Sequence, residues 1–264
     1  MTSLVRFLRQ PAQLHDNRVQ YGLIVLWALV MIALPIARWI AGDAIIPGWA
    51  TMAAIVQAIA VGVVVRAAWG WRKTAITFVI VSGIGWTAEF MGHRTGFPFG
   101  SYHYTDALQP QIGGVPLLIP VAWFMLLPSA WVMAQLIIGE RDTLFKQITF
   151  VAISALALTA WDLFLDPQMV GWGFWVWDQP GVYFGIPLVN YLGWLLVSAI
   201  ITVVARPARL PIMPLAAVYA LVWFLQSVGL GVFWGQPGPA IVGCVAMGSI
   251  MVAAYWGHHQ RPRS

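Results

Sequence analysis

Long runs of apolar residues recur along the chain, and each is long enough to form a membrane-spanning helix. A helix that crosses the ~30 Å hydrocarbon core of a bilayer needs about 20 consecutive, mostly apolar residues. Eight runs of suitable length occupy residues 21–41, 45–65, 74–91, 115–138, 148–165, 186–205, 213–233 and 239–256. The pattern predicts an all-α integral membrane protein, a bundle of about eight transmembrane helices, with residues 1–264 as a single polytopic domain.

The composition agrees with a membrane protein and excludes several other classes. Charged residues make up 9% of the chain and hydrophobic residues 60%, with a mean hydropathy of +0.79. An ordinary soluble domain carries about 25% charged residues. The net charge of +5 does not indicate nucleic acid, because the basic residues lie between apolar runs rather than on one element. The single cysteine, Cys244, excludes an internal disulfide and a Cys-based metal or redox site.

The lysines and arginines predict the orientation of the bundle. With eight crossings, both termini share one side with the loops after the second, fourth and sixth helices. Twelve basic residues fall on that side: Arg6, Arg9, Arg18, Arg66, Arg72, Lys73, Arg141, Lys146, Arg206, Arg209, Arg261 and Arg263. The other side has Arg38 and Arg94. Because basic loops stay in the cytoplasm, we expect a multi-pass protein of the cell (inner) membrane with both termini cytoplasmic. The N-terminal segment lacks the features of a removed signal peptide.

Two segments resemble each other and indicate an internal repeat of two helices. GVPLLIPVAW at residues 114–123 and GIPLVNYLGW at residues 185–194 share Gly, Pro, Leu and Trp at matching offsets. Upstream, Glu89 and Asp162 each follow a Thr-Ala pair on the preceding helix. Each unit would consist of an outgoing helix with a carboxylate, an external loop and a returning helix. The two similar segments are short, so the alternative to an internal repeat is chance similarity.

Carboxylates deep in apolar runs are the strongest candidates for chemistry. Glu89 and Asp162 lie about 21–23 Å from the cytoplasmic ends of their predicted helices, in the outer third of the bilayer core. An ionisable group at this depth costs free energy unless it faces a cavity or a partner. Its presence in the apolar helix therefore favours a functional role. The alternative is a structural ion pair, but Arg94 alone cannot neutralise Glu89, Asp162 and Asp166 together. Two interpretations of Asp166 stay open: it is a site residue one helical turn from Asp162, or it is part of an Asp-Pro turn that ends the helix.

The two external loops, residues 92–114 and 166–185, carry further candidates. The first holds Arg94, Tyr102 and Tyr104 among glycines and prolines, a density that predicts an ordered loop. Its two histidines are ten residues apart without a metal-binding pattern, so we expect no metal site. The second loop carries Trp175 and other aromatic residues that suit a membrane interface or a cation. Asn190 fits either a helix–helix hydrogen bond or a ligand contact.

Four segments carry a resemblance to a known family: EFMGHRTGFPFGSYHYTDAL, GVPLLIPVAWFM, LALTAWDLFLDPQM and GIPLVNYLGWLL. They closely resemble the membrane carotenoid hydratases, which include hydratases of bisanhydrobacterioruberin and of γ-carotene. The resemblance covers residues 85–196, with Gln109 where the family has glycine, and leaves the first two and last two helices unmatched. It implies addition of water to an acyclic carotenoid end group. The family's acidic and polar positions fall on Glu89, Arg94, Thr95, Tyr102, Tyr104, Asp162, Asp166 and Asn190.

Hydration of a trisubstituted alkene needs an acid that protonates one carbon and a base that activates water. The residues therefore predict Glu89, Asp162 and Asp166 as catalytic groups, with the more buried of Glu89 and Asp162 as the acid. Substrate contacts are expected from Arg94, Thr95, Tyr102, Tyr104, Trp175 and Asn190. No metal, redox or organic cofactor is needed. Expected partners are the carotenoid from the bilayer, water, membrane lipids and other carotenoid-pathway enzymes, and not nucleic acid.

Two other functions use the same acids differently. In a membrane prenyl transferase or lyase, the sequence DLFLD would hold Mg²⁺ and a diphosphate, which also requires nearby lysine or arginine. In a proton-coupled carrier, the acids would relay protons, although such sites usually lie near the bilayer midplane. A Mg²⁺-chelation assay separates the first from a hydratase, and substrate flux into vesicles separates the second.

Overall fold

The computed structural model describes residues 11–260, with side chains from Arg18 onward. Its α-helices are α1 Pro11–Ala41, α2 Ile46–Thr95, α3 Leu118–Ile138, α4 Leu144–Gly171, α5 Leu188–Ala205, α6 Ile212–Val228 and α7 Pro237–His259. A 3₁₀ helix spans Asp43–Ile45, and a π-helix at Gly229–Phe233 continues α6. The strands are β1 Tyr102–Tyr104, β2 Gln111–Ile112, β3 Val115–Pro116 and β4 Trp175–Trp177. The basic residues Arg6, Arg9, Arg261 and Arg263 lie outside the described residues, as do residues 1–10 of the N-terminal segment in which no signal peptide is expected.

Helix α2 contains two of the predicted crossings. Seven helices in the described part of the chain are long and apolar enough to cross a membrane, and one of them is the 53-residue segment Asp43–Thr95. Gly70 interrupts it with a non-helical backbone, φ 76° and ψ 166°. A straight helix would hold Gly62 and Phe78 about 24 Å apart, yet both lie against Phe124 of α3. The chain therefore reverses direction at Gly70, and the predicted all-α membrane bundle is confirmed, with α2 forming two arms, residues 46–69 and 71–95.

The turn at Gly70 yields a prediction about stability. Its φ and ψ lie in a region that only glycine adopts readily, and other residues there cost about 1–3 kcal/mol. We expect Gly70→Ala to lower the thermal unfolding midpoint of the purified protein in detergent. Gly83→Ala is the matched control, because an added Cβ meets no atom within 4 Å and the backbone there is ordinary helix. Equal midpoints for the two variants would contradict a strained turn at Gly70.

Helix α4 extends past the point where the sequence suggested a turn. The predicted helix ends at residue 165, whereas α4 continues through Asp166 and Pro167 to Gly171. Proline lacks the N–H that would bond to the carbonyl four residues earlier. That carbonyl, on Leu163, instead accepts a hydrogen bond of 3.0 Å from the Tyr183 hydroxyl. The alternative in which Asp166 belongs to an Asp-Pro turn is therefore wrong, and the loop that follows α4 begins after Gly171.

The two loops predicted to be external, which follow α2 and α4, meet in a short antiparallel sheet. Strand β1 pairs with β4, with Tyr102 opposite Trp177 and Tyr104 opposite Trp175. Alternation along the strands turns these four aromatic side chains towards the bundle, while His103 faces outward and forms a 3.1 Å ion pair with Asp178. The first loop also contains the β2–β3 pairing. The loops therefore form an ordered cap on one end of the bundle.

The arrangement of the helices agrees with the internal repeat. Trp123 and Trp194 hold the same position in the two similar segments, and their rings stack with centroids 4.1 Å apart and planes inclined by 10°. The paired strands β1 and β4 likewise come from the corresponding loops of the two units. At the centre, residues 123–136 of α3 are all buried, as expected for a helix surrounded by others. The two similar segments therefore face each other beneath the cap.

Candidate functional site

A cavity of about 110 Å³ lies beneath the cap, among α1, α2, α3, α4, α5 and α6. One buried water needs about 10–15 Å³ on this measure, so the cavity has room for several waters or a small branched hydrocarbon group. Most of its wall is aromatic or aliphatic. The polar side chains on the wall are Gln57, Glu89, Tyr102, Tyr104, Asp166, Gln168, Asn190 and Gln226, together with indole N–H groups.

Glu89 accepts hydrogen bonds from three side chains. Its Oε2 atom receives the Tyr102 hydroxyl at 2.5 Å and the Tyr104 hydroxyl at 2.8 Å, and its Oε1 atom receives Trp123 Nε1 at 3.2 Å. Only 5% of the residue is exposed. Three donors on one carboxyl group offset part of the cost of burying a negative charge there, because hydrogen bonds to a charged acceptor are the stronger ones. Glu89 is therefore suited to hold a negative charge in an apolar cavity.

Local sequence explains how these donors reach Glu89. Tyr102 and Tyr104 are two residues apart in β1, so both side chains lie on the same face of the strand. Trp123 packs directly on Gly85, where an added Cβ would lie 2.9 Å from the indole ring. Gly85 is one helical turn before Glu89, so the absence of a side chain there lets the indole approach the carboxyl group.

The two tyrosines remain hydrogen-bond donors. Burial and the neighbouring Glu89 raise the pKa of each phenol, Tyr102 and Tyr104, well above its usual range. Both hydroxyls therefore keep their protons at any physiological pH. The partially positive hydrogen of each O–H group points at the Glu89 carboxyl group.

Asp162 and Asp166 form the second acidic group, one helical turn apart on α4. The amide Nδ2 of Asn190 donates to Asp162 Oδ2 at 2.9 Å and also contacts Asp166 Oδ2. Trp175 Nε1 donates to Asp166 Oδ1 at 2.8 Å. Asn190 lies in the first turn of α5, where its backbone N–H bonds to Pro187. One neutral amide thus joins two carboxyl groups, and two negative charges so close in a buried site would repel strongly.

The two aspartates differ in their access to the cavity. Asp166 lies on the cavity wall, whereas Asp162 does not and is 0% exposed. Within the described residues, Asp162 Oδ1 has no hydrogen-bond partner. Asp162 therefore sits behind Asp166, and only Asp166 can touch a molecule in the cavity. Because Asp166 and Glu89 both line the cavity, it has an acidic end.

The structure brings most of the predicted site residues together. Glu89, Tyr102, Tyr104, Asp166, Trp175 and Asn190 all line the cavity. Arg94 and Thr95 lie elsewhere, because α2 ends at Thr95 and both side chains are exposed. Arg94 stacks on Phe90 with its guanidinium carbon 5.0 Å from the ring centre, and Thr95 bonds to the Met91 carbonyl at 2.7 Å. Neither residue lines the cavity, so their expected substrate contacts stay a prediction.

Other wall residues have no counterpart among the predictions. The unpredicted aromatic residues on the wall are Trp27, Phe99, Trp123, Trp161, Trp172, Phe174, Trp177 and Trp194. Further walls come from α1, the first arm of α2 and α6. Buried Gln57 and Gln226 stand on these last two elements. A lone glutamine in an apolar run is the signal that could have indicated them. Among the described residues, no group of three His, Cys, Asp or Glu side chains is placed to hold a metal ion.

Comparison with known proteins adds an independent line of evidence. The model of a family described as carotenoid biosynthesis protein matches residues 49–250. Bisanhydrobacterioruberin hydratase from Haloarcula japonica is 34% identical over 132 residues, which are 49% of this chain and 43% of that protein. The match thus spans less than half the length of this relative. No solved structure matches.

Proposed function

Because this chain belongs to the carotenoid biosynthesis protein family, we propose that it is a hydratase that adds water across the terminal double bond of an acyclic carotenoid. The name of the relative supports a hydratase, and its match includes less than half of that protein. The observation that carries the proposal is the convergence of Glu89, Asp166 and Asn190 on an aromatic cavity in an apolar bundle. Such a cavity suits a hydrocarbon end group that meets an acid and a base.

The aspartate pair serves as the proton donor. One proton shared between Asp162 and Asp166 avoids two adjacent negative charges, as in other paired carboxyl groups. Asp166 reaches the cavity, so it delivers this proton to the terminal alkene at the less substituted carbon. The π electrons form the new C–H bond, and the neighbouring carbon becomes a tertiary cation. Asn190 holds both carboxyl groups in place during the transfer.

Aromatic rings stabilise the cation. The stacked Trp123 and Trp194 rings and the edge of Trp161 against Trp194, with centroids 6.0 Å apart, form a wall of the cavity. The negative faces of such rings attract a cation, by about 2 kcal/mol or more where water is excluded. The same walls keep other nucleophiles away from the reacting carbon.

Glu89 completes the reaction as the base. Its carboxylate accepts a proton from a water molecule while the water oxygen bonds to the cation, which gives a tertiary alcohol. After this step Glu89 is protonated and the aspartate pair has lost its proton. A proton then passes from Glu89 back to the pair through water in the cavity, so the cycle consumes only the alkene and one water. No cofactor takes part in these steps.

The diphosphate alternative conflicts with the charges around the cavity. A prenyl diphosphate needs lysine or arginine beside its metal ions. None of the described residues on the cavity wall is basic. No contact within residues 11–260 favours a proton-coupled carrier, so hydration is the function that this geometry supports best.

Expression in cells that accumulate lycopene tests the proposal. We expect new pigments heavier than lycopene by one or two waters, detected by mass spectrometry, and no other change in mass. The control is the double variant Glu89→Gln/Asp166→Asn, accumulated to the same level in the membrane. Unchanged pigment in cells that contain the folded wild-type protein, supplied with other acyclic carotenoids as well, would contradict a hydratase.

We propose further that the cap faces away from the cytoplasm, from the distribution of basic residues. In a Cys244→Ser background, cysteines introduced at Ser101 and Gln179 should react with an impermeant thiol reagent in intact cells. A cysteine at Thr143, at the opposite end of the bundle before α4, should react only after the cells are opened. Labelling of the Thr143 variant alone would reverse this orientation.

A further inference from the structure

A second cavity opens at the same end of the bundle as the cap, beside the acidic cavity. It has a volume of about 240 Å³, and we call it the vestibule. Its wall includes Arg38, Asp43, Ala44, Trp172 and Gln236. Arg38 at the end of α1 forms a 2.5 Å ion pair with the exposed Asp43. The vestibule is thus lined by charged and amide groups, unlike the aromatic acidic cavity.

Trp172 separates the two cavities. It is the residue that follows α4, and it belongs to the wall of both the vestibule and the acidic cavity. Gln168, one turn earlier on α4, also lines the acidic cavity and is only 3% exposed. Passage from the vestibule past Trp172 therefore leads to Gln168 and to the wall that contains Asp166.

Polar atoms on this path have no partner among the described residues. They are the buried indole Nε1 of Trp172, a donor, and the buried Oε1 of Gln236, an acceptor. The Gln236 amide is held in position because its Nε2 donates to the Pro167 carbonyl at 2.8 Å. A buried donor and acceptor without partners cost free energy unless a small polar molecule binds them. Water can satisfy both, since it donates and accepts.

We propose that the vestibule is the path by which water enters the acidic cavity, with Trp172 as the barrier that water must pass. The inference rests on the proposed hydration, which consumes one water for each double bond. A hydrocarbon chain enters from the bilayer, whereas water must cross from the aqueous side without flooding an aromatic cavity. Gln236, Trp172 and Gln168 supply successive polar contacts for single water molecules on the way to Asp166.

Filling the vestibule tests the path. Ala44→Trp places a large side chain in the vestibule wall, at a residue that does not line the acidic cavity. We expect the rate of hydration at saturating carotenoid to fall at least about tenfold, with an unchanged KM for the carotenoid, because only water supply is restricted. Ala41→Trp is the matched control, since Ala41 is exposed at the end of α1 and lines neither cavity. Equal rates for the two variants would overturn the proposal.

Thiol labelling tests the same path without any hydration. In a Cys244→Ser background, Gln168→Cys should react with a small water-soluble methanethiosulfonate reagent, and Ala44→Trp should slow that reaction at least about tenfold. Trp172→Cys provides a second probe position if the first variant does not fold. Undiminished labelling in the presence of Ala44→Trp overturns the water path, whatever the activity. Slowed labelling in a protein that forms no hydrated product supports the path and refutes the hydratase instead.

Discussion

Asp166→Asn is expected to lower the hydration rate at least about 100-fold while the protein still accumulates in the membrane. The substitution keeps the shape of the side chain and removes the carboxyl group that lines the cavity and delivers the proton. Loss of a general acid typically costs a factor of about 10²–10⁴. The measurement is product formed per amount of protein in isolated membranes that contain an acyclic carotenoid.

Asp178→Asn is the matched control for this variant. Asp178 directly follows β4 and pairs with His103 on the exposed side of the cap, away from the cavity. Its substitution should leave the hydration rate within about twofold of wild type, because exposed ion pairs contribute little.

Asp162→Asn should also lose most activity, since Asp162 shares the proton with Asp166. Wild-type turnover in both variants of the aspartate pair would remove it from the mechanism.

Glu89→Gln should lower the rate by a similar factor, at least about 100-fold, because an amide cannot take a proton from water. The glutamine oxygen can still accept from the Tyr102 and Tyr104 hydroxyls, whereas its NH₂ group would face the Trp123 indole N–H and lose that bond. Tyr104→Phe removes one of these donors but keeps the carboxylate, so it should cost less, about 10-fold or below. The rates are measured as for the aspartate variants.

Comparison of the rate losses in Glu89→Gln and Tyr104→Phe shows whether Glu89 acts as a base or only supports the structure. A base requires Glu89→Gln to be far slower than Tyr104→Phe, with both proteins equally abundant and equally resistant to heat. If Glu89→Gln instead unfolds at a much lower temperature and its residual folded fraction works normally, Glu89 holds the cap in place and the base must be sought elsewhere.

Much of the bundle follows from the apolar runs, because crossing a bilayer demands length and hydrophobicity that the sequence displays directly. The reversal at Gly70 leaves both arms of α2 where two runs predict them. The end of α4 could not be predicted in the same way. The Asp-Pro pair is a common turn signal, and only the distant Tyr183 hydroxyl, which bonds to Leu163, compensates for the proline within the helix.

The acids of the site could be found from the sequence, but their surroundings could not. Glu89 and Asp162 are conspicuous because charges are rare in apolar helices. Packing between distant segments decides which side of each helix faces the cavity, so the different access of Asp162 and Asp166 to it was not predictable from their spacing. In the same way, the pairing of β1 with β4 joins residues more than 70 positions apart. Arg94 is the only basic residue near the acids in the sequence, yet its side chain at the end of α2 stacks on Phe90 instead.

The origin of the product's hydrogen and oxygen atoms tests the central claim most directly. Membranes washed with a chelator, given an acyclic carotenoid and supplied with no nucleotide, should form a tertiary alcohol. In ¹⁸O-labelled water the hydroxyl oxygen should carry the label, and in deuterated water one deuterium should appear on the carbon beside the alcohol. Hydroxyl oxygen taken from molecular oxygen instead would mean a hydroxylase, and the acid and base roles of Asp166 and Glu89 would have to be abandoned.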